Sequence, residues 1–156
     1  MKWTGKKIGS QHYGYIQVKE GYLEMKDGKI SGGTFLVDMN SISNVDLKNE
    51  EFNKKLVDHL KSDDFFSVAQ HPTSRLVIEE STPFRSGKAT VKGMITIKGM
   101  TEPISFDVIR SGNVYEATLS IDRSKFDVRF GSDSFFDNLG DRAIDDIFTL
   151  EVKLVM

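Results

Sequence analysis

The sequence predicts an all-β protein with one or two short helices, because most of the chain alternates apolar and polar residues with the period of half-buried strands. About eight such runs follow one another, separated by turn residues, which favours an antiparallel sandwich or barrel. One segment has the apolar stripe of a helix instead. The length of 156 residues predicts a single domain, residues 1–156, with its own core.

The first hairpin is marked by a turn dipeptide. Asp27-Gly28 separates two alternating runs, and this dipeptide favours a two-residue hairpin turn. Inside the second run, Gly32-Gly33 predicts a bulge or a sharp bend of the kind that barrels use at their corners.

The segment Glu50–Lys61 predicts the helix. Phe52, Leu56 and Leu60 recur at every fourth position and share one face of a helix. Asn49 is a suitable N-cap, and acidic residues fill the first turn, where the helix dipole favours them.

Strand alternation returns after the helix, with the turn Ser111-Gly112-Asn113 between two of the runs and an irregular segment at Lys125–Asp146. The apolar faces of these strands are expected to point inward. These faces carry Val91, Gly93, Ile95 and Ile97; Ile104, Phe106 and Val108; Tyr115, Ala117, Leu119 and Ile121; and Phe148, Leu150, Val152, Leu154 and Met156.

Composition excludes several classes of protein. The formal net charge of −2 argues against a nucleic-acid binder, which usually has a basic excess. The absence of cysteine removes disulfides, zinc–thiolate sites and thiol nucleophiles. No run approaches the ~20 apolar residues of a membrane helix, so no stable membrane insertion is expected. The 11 Phe residues hint at an apolar interior.

No motif in the chain predicts catalysis, a metal or a cofactor. The three His residues lack metal-ligand spacing, and neither a GxSxG elbow nor a phosphate-binding loop is present. A late acidic cluster departs from the spacing of a calcium loop, which favours a solvated, hydrogen-bonding loop over a calcium site. The cluster comprises Asp133, Asp137, Asp141, Asp145 and Asp146.

Two Phe pairs, Phe65-Phe66 and Phe135-Phe136, lie in polar segments. Leaving such a side chain in water costs about 1.5–3 kcal/mol relative to burial, so both pairs are expected to dock on the rest of the protein. They either plug the ends of a barrel or frame the mouth of an apolar cavity.

Two blocks of the sequence resemble the YceI-like family. Val91–Val108 contains Thr-Ile-Lys-Gly-Met-Thr followed by Glu102-Pro103, between two strands. His59–Phe66, followed by His71-Pro72, is similar to a second block of that family. The resemblance covers essentially the whole chain in order.

The resemblance implies an extended, eight-stranded, antiparallel lipocalin-like β-barrel. Such proteins hold a long polyisoprenoid or isoprenoid-quinone lipid in a central apolar tunnel, without catalysis. It also implies a periplasmic or cell-envelope location, although the given chain opens without a signal peptide, which leaves a cytoplasmic location open. No catalytic residue is carried over from the family.

The inward strand positions supply the predicted lipid lining, with Gly93 and Ala117 leaving room for a ligand. The lining residues are Phe35, Val37, Met39, Ile95, Ile97, Phe106, Val108, Leu119, Ile121, Phe148, Leu150 and Val152. The predicted tunnel mouth or head-group site comprises His12, Phe65, Phe66, Arg123, Arg129, Phe135 and Phe136.

Several alternatives stay open at this stage. Arg123 and Arg129 either cap a polar head group, because Arg pairs well with phosphate, or pair with Asp122, Asp127 or Asp141 to fix their loop. The protein is a lipid carrier, an enzyme acting on an isoprenoid-like substrate inside the barrel, or a stress-response interaction module with a filled core. A homodimer is also compatible with the sequence.

Overall fold

The computed structural model describes residues 1–136, 139–140 and 143–156. Within these residues, nine strands form one antiparallel sheet that is curled into a half-barrel of the lipocalin-like type. The fold class therefore agrees with the prediction. None of the described helices is long and apolar enough to cross a membrane.

Most of the described chain forms strands, and one α-helix and two short 3-10 helices lie between them. The strands are β1 (Lys2–Lys7), β2 (Ser10–Tyr15), β3 (Gln17–Lys26), β4 (Lys29–Asp38), β5 (Thr73–Ser81), β6 (Lys88–Ile97), β7 (Met100–Ser111), β8 (Val114–Asp122) and β9 (Ile147–Val155). Helix α1 spans Glu50–Lys61, and short 3-10 helices span Met39–Ser41 and Arg123–Phe126.

The two outermost strands of the sheet are consecutive in the chain. The sheet order is β2-β1-β9-β8-β7-β6-β5-β4-β3, and β2 is separated from β3 only by the buried residue Ile16. The structure has nine strands rather than the predicted eight because Ile16 divides one extended stretch into two strands with different partners. That stretch brings the two edges of the curled sheet together.

The β3–β4 hairpin turns at Asp27 and Gly28, as predicted. Their φ angles of 53° and 76° are those of the two-residue turn that matches the twist of paired strands. The predicted irregularity also occurs: Glu24 pairs with Gly32 and Met25 with Ile30, so the bulge falls immediately before Gly32.

Helix α1 has the predicted bounds and the predicted cap. The Asn49 side chain accepts a hydrogen bond from the Phe52 N–H at 3.0 Å. Leu56 and Leu60 are half-buried, whereas Phe52 is 56% exposed. The buried stripe is therefore shorter than predicted, and the C-terminal half of the helix makes the contact with the sheet.

Gly93 has a different role from the one expected from the sequence. A Cβ atom at this position would lie 2.2 Å from the Val77 carbonyl oxygen on the neighbouring strand. The missing side chain therefore gives room to the backbone of β5 and not to a ligand. Gly5 on β1 differs, because a Cβ atom there would have no heavy atom within 4 Å.

We predict that Gly93→Ala destabilises the protein by about 1–3 kcal/mol, because the new methyl group pushes β5 away from β6. Chemical denaturation measures the free energy of unfolding. Gly5→Ala is the matched control, and we expect it to change stability by less than about 1 kcal/mol. Equal effects of the two substitutions would contradict the close-approach role of Gly93.

Candidate ligand-binding cavity

The curled sheet encloses a cavity of about 210 Å³, called the central cavity below. Every strand except β2 contributes to its lining. On β9 alone the lining runs from Phe148 to Leu154, which is a length of about 20 Å at the usual rise per residue of a strand. The central cavity is therefore long and narrow.

Eleven of the twelve residues predicted to line a tunnel lie on the wall of the central cavity. They are Phe35, Val37, Met39, Ile95, Ile97, Phe106, Val108, Leu119, Phe148, Leu150 and Val152. Ala117, which was expected to leave room, lies on the same wall.

Ile121, the twelfth residue predicted to line the tunnel, does not lie on the wall of the central cavity. β7 pairs with β8 only through Val108–Ser111, so the two strands separate before β8 reaches Ile121. The chain that follows β8 packs at this position, and Ile121 is buried in one cluster with Phe126 and Val128. Strand alternation predicts the side on which Ile121 lies but not the segment that covers it.

Sequence reasoning missed a second set of lining residues. Trp3 and Gly5 line the cavity from β1, and Ile16 lines it from between β2 and β3. Leu23 and Ile30 line it from the β3–β4 hairpin. Trp3 and Gly5 are two positions apart on β1, so the two-residue period of a strand could have predicted that both face the cavity. The bulges in the β3–β4 pairing shift that period and hide the signal of the hairpin.

Phe65 and Phe66 lie at the end of the central cavity that is nearest to α1. Phe65 is buried, and the Phe66 ring meets the Phe148 ring edge to face at 6.1 Å between centroids. Leu60 of α1 lines the cavity beside them. The helix and the segment after it therefore cover this end of the cavity with apolar side chains.

The second pair, Phe135 and Phe136, does not line the central cavity. The two side chains are 38% and 50% exposed. The Arg129 guanidinium stacks on the Phe135 ring at 4.6 Å and forms an ion pair with Asp127. Arg129 thus fixes its own loop, which was the alternative to a head-group site, and is also absent from the lining.

Among the described lining residues, Arg123 is the buried cation, with only 3% of its surface exposed. Its Nη1 donates to the carbonyl oxygens of Val128 and Phe130 at 2.9 and 2.8 Å. Its Nε and Nη2 donate to the carbonyl oxygens of Asp145 and Ile144 at 3.1 and 2.9 Å. The side chain therefore ties the beginning of the irregular segment to its end.

Burial lowers the pKa of the Arg123 guanidinium, while the carboxylates of Asp146, Asp122 and Asp145 act in the opposite direction. Of the expected pairing partners, Asp122 thus acts on Arg123 through charge, Asp127 pairs with Arg129 instead, and the hydrogen bonds of Arg123 go to backbone carbonyls. Asp141, the third predicted partner, lies outside the described residues.

The acidic cluster serves the same loop. Asp146 accepts hydrogen bonds from the hydroxyls of Ser132 and Ser134. These bonds and the Arg123 charge lower the pKa of Asp146, against the effect of burial, which raises it. Asp137 and Asp141 lie outside the described residues. Among the rest of the chain, no group of three or more His, Cys, Asp or Glu residues is arranged to hold a metal ion.

His12, predicted at the tunnel mouth, lies outside the lining and contacts the loop before α1. Its Nδ1 is 2.7 Å from the Asp46 carboxylate. The same carboxylate accepts the Tyr13 backbone N–H at 2.8 Å and a hydrogen bond from the Asn44 side chain. Asp46 therefore attaches the loop before α1 to β2.

Four charged residues touch the central cavity in the described parts of the chain: Arg75, Glu116, Arg123 and Asp145. Arg75 and Glu116 are exposed and alternate with inward neighbours on their strands, so they contribute backbone to the wall. The remaining two lie together at one end, and the rest of the wall is almost entirely apolar.

Comparison with known proteins gives a family match over the whole chain. A family model described as a YceI-like domain matches residues 1–156. Among curated protein sequences, none matches this chain.

Solved structures share the fold. BcnA of Burkholderia cenocepacia is 20% identical, with a TM-score of 0.76, and the match covers 99% of this chain and 94% of that one. The Campylobacter jejuni YCEI protein is 18% identical, with a TM-score of 0.60, and the match covers 91% and 84% of the two chains. At such identities the likeness establishes a common fold.

We predict that Asp46→Asn lowers the free energy of unfolding near pH 7 by about 1–2 kcal/mol, because three hydrogen bonds lose a charged acceptor. Burial raises the pKa of Asp46, but the bonds from His12, Tyr13 and Asn44 outweigh it and hold the pKa below 3.8. The contribution is therefore complete above that value and is lost as the pH falls through the lower pKa of the folded state.

Denaturation at a series of pH values tests this prediction. The difference between the parent protein and Asp46→Asn should shrink as the pH falls below about 4. Asp58→Asn, which removes an exposed carboxylate from α1, is the control, and we expect a change of less than about 0.5 kcal/mol. A difference that stays constant down to acid unfolding would argue against the role of the Asp46 charge.

Proposed function

We propose that this chain, which belongs to the YceI-like family, binds one long apolar lipid of the polyisoprenoid or isoprenoid-quinone class in the central cavity. Family membership supports a lipid- or polyisoprenoid-binding barrel in general terms. The observation that carries the finer proposal is the shape and chemistry of the cavity: narrow, about 20 Å long on the β9 side and apolar over nearly all of its wall.

The size of the cavity favours a thin chain over a bulky ring system. Its volume of about 210 Å³ lies below the ~300–1,000 Å³ of typical small-molecule pockets. An apolar wall offers few hydrogen bonds by which to recognise a ligand, so selection depends on length and cross-section. A polyprenyl tail is both long and thin.

Burial energies explain why the tail has to be long. Each buried CH₂ group contributes about 0.8 kcal/mol, whereas association costs at least about 4 kcal/mol in lost freedom. About five groups offset the lowest cost, and every further group adds to affinity. A short hydrocarbon therefore binds weakly, and a long one binds tightly without any polar contact.

The same wall supports a carrier or storage protein and not an enzyme. General acid–base catalysis needs a titratable side chain within hydrogen-bond distance of the reacting atom. Of the charged side chains on the described wall, Arg123 is engaged with carbonyl oxygens, and Asp145 lies at the exposed end. Neither Arg123 nor Asp145 therefore serves as a buried general base.

Location and assembly complete the proposal. We place the protein in the periplasm or cell envelope, in keeping with its family. We place a homodimer contact at the outer edge of β3, where Val18, Tyr22 and Met25 are exposed and no described strand pairs. Light scattering of the purified protein tests the dimer, and a monomeric mass would remove that part of the proposal.

We predict that Gly5→Leu displaces the lipid. Gly5 lines the central cavity, and a side chain there meets open space, so the protein should keep its fold. The leucine side chain takes the place of three or four buried CH₂ groups, at a cost of about 3 kcal/mol, or roughly 100-fold in Kd. Native mass spectrometry with added polyprenol measures the bound fraction.

Thr4→Leu is the matched control, because Thr4 is the preceding residue of the same strand and points to its other face. We expect it to bind polyprenol as the parent protein does. The proposal is abandoned if the parent protein carries no lipid after purification and also fails to take up polyprenols or isoprenoid quinones.

A further inference from the structure

We infer that the end of the lipid that lies beside Arg123 is uncharged, so that the central cavity accepts prenyl alcohols and quinones and discriminates against prenyl phosphates. This inference rests on the proposed lipid-binding function and specifies the class of ligand. It depends on how Arg123, the buried cation among the described lining residues, is already bonded.

Most of the Arg123 guanidinium is unavailable to a ligand. A guanidinium carries five N–H groups, and four hydrogen bonds go to the carbonyl oxygens of Val128, Phe130, Ile144 and Asp145. At most one N–H group remains. Phosphate recognition by Arg uses two parallel N–H groups, and this geometry is therefore closed to Arg123.

The surrounding charge also opposes an anion. Asp122, Asp145 and Asp146 lie near enough to Arg123 to affect its pKa, and Asp145 itself touches the cavity. Among the described residues, three carboxylates against one guanidinium make this end of the cavity unfavourable for a phosphate. A phosphate placed there would also lose much of its hydration, which costs several kcal/mol for an unpaired ion.

No lysine restores a positive site there, because none of the described lysines lines the central cavity. Lys7 forms an isolated bridge with Ile144, but it is exposed and absent from the lining. Lys98 donates its Nζ to the Asp127 carbonyl oxygen at 2.9 Å and is also absent from the lining. The charge of an exposed lysine such as Lys7 is also weakened by solvent and salt.

A neutral oxygen fits the same surroundings. An alcohol or a quinone carbonyl needs only one donor and loses less free energy than a phosphate when it leaves water. The aromatic rings of Phe65 and Phe66, on the lining at this end, provide an apolar collar for the last carbons of the tail.

Titration with geranylgeraniol and with geranylgeranyl monophosphate tests the inference, because the two ligands share one tail. Native mass spectrometry measures both bound fractions, and the fluorescence of Trp3, the single tryptophan and a lining residue, reports binding independently. We expect the alcohol to bind about 10-fold more tightly than the phosphate, a little above the scale of one charge interaction at about 4 Å in bulk water.

Asp145→Asn probes the charge directly. The substitution removes one carboxylate, and the backbone bonds of residue 145 to Arg123 and Lys6 remain possible. We expect the preference for the alcohol over the phosphate to fall by about 3-fold or more. Asp133→Asn, at an exposed position outside the lining, is the control and should leave the preference as it is.

The outcomes separate this inference from the function on which it rests. If the phosphate binds as tightly as the alcohol, or more tightly, the inference is wrong and lipid binding stands. If Asp145→Asn and Asp133→Asn act alike, the carboxylates do not set the preference, and the inference is also wrong. If neither ligand binds, the proposed function fails first.

Discussion

The central cavity depends on one stretch of chain that forms both edges of the sheet. Residues Ser10–Tyr15 pair with β1, and residues Gln17–Lys26 pair with β4. Because Ile16 joins them, the two edges cannot move apart, and the sheet has to curl. Its inner faces then meet across a space that the side chains on described strands fill only in part, which leaves the central cavity.

The same stretch also determines how one end of the cavity is covered. A Cβ atom at Gly14 would lie 1.8 Å from the Ser43 carbonyl oxygen, so the loop before α1 crosses β2 in direct backbone contact. Asp46 adds hydrogen bonds to His12 and Tyr13 at this crossing. The loop leads into α1 and then to Phe65 and Phe66, whose positions at the end of the cavity follow from this attachment.

Local periodicity explains what the sequence could predict. Each inward residue from Phe148 to Val152 is two positions from the next, and one buried face is enough to place all of them. The helix bounds follow from an N-cap at Asn49 and a clear stripe. These features need only information from residues that are near one another in the chain.

The features that the sequence did not predict depend on contacts with other segments of the chain. Ile121 is covered by the segment after β8, and Gly93 is required by a carbonyl oxygen on another strand. The exposed pair Phe135 and Phe136 shows the same limit, since a pattern cannot tell which apolar residues of a loop find a surface to cover.

Arg123 connects the stability of the loop to the behaviour proposed for the ligand. Its partners all belong to the protein, so its charge is compensated whether the cavity is full or empty. A buried cation that depended on the ligand would be left unpaired on release, at a cost of several kcal/mol. Release of the proposed lipid exposes mostly apolar surface, and the free-energy cost of that exposure grows evenly with tail length. A lipid can therefore leave by sliding out one group at a time, and such an exit suits a protein that hands its ligand on.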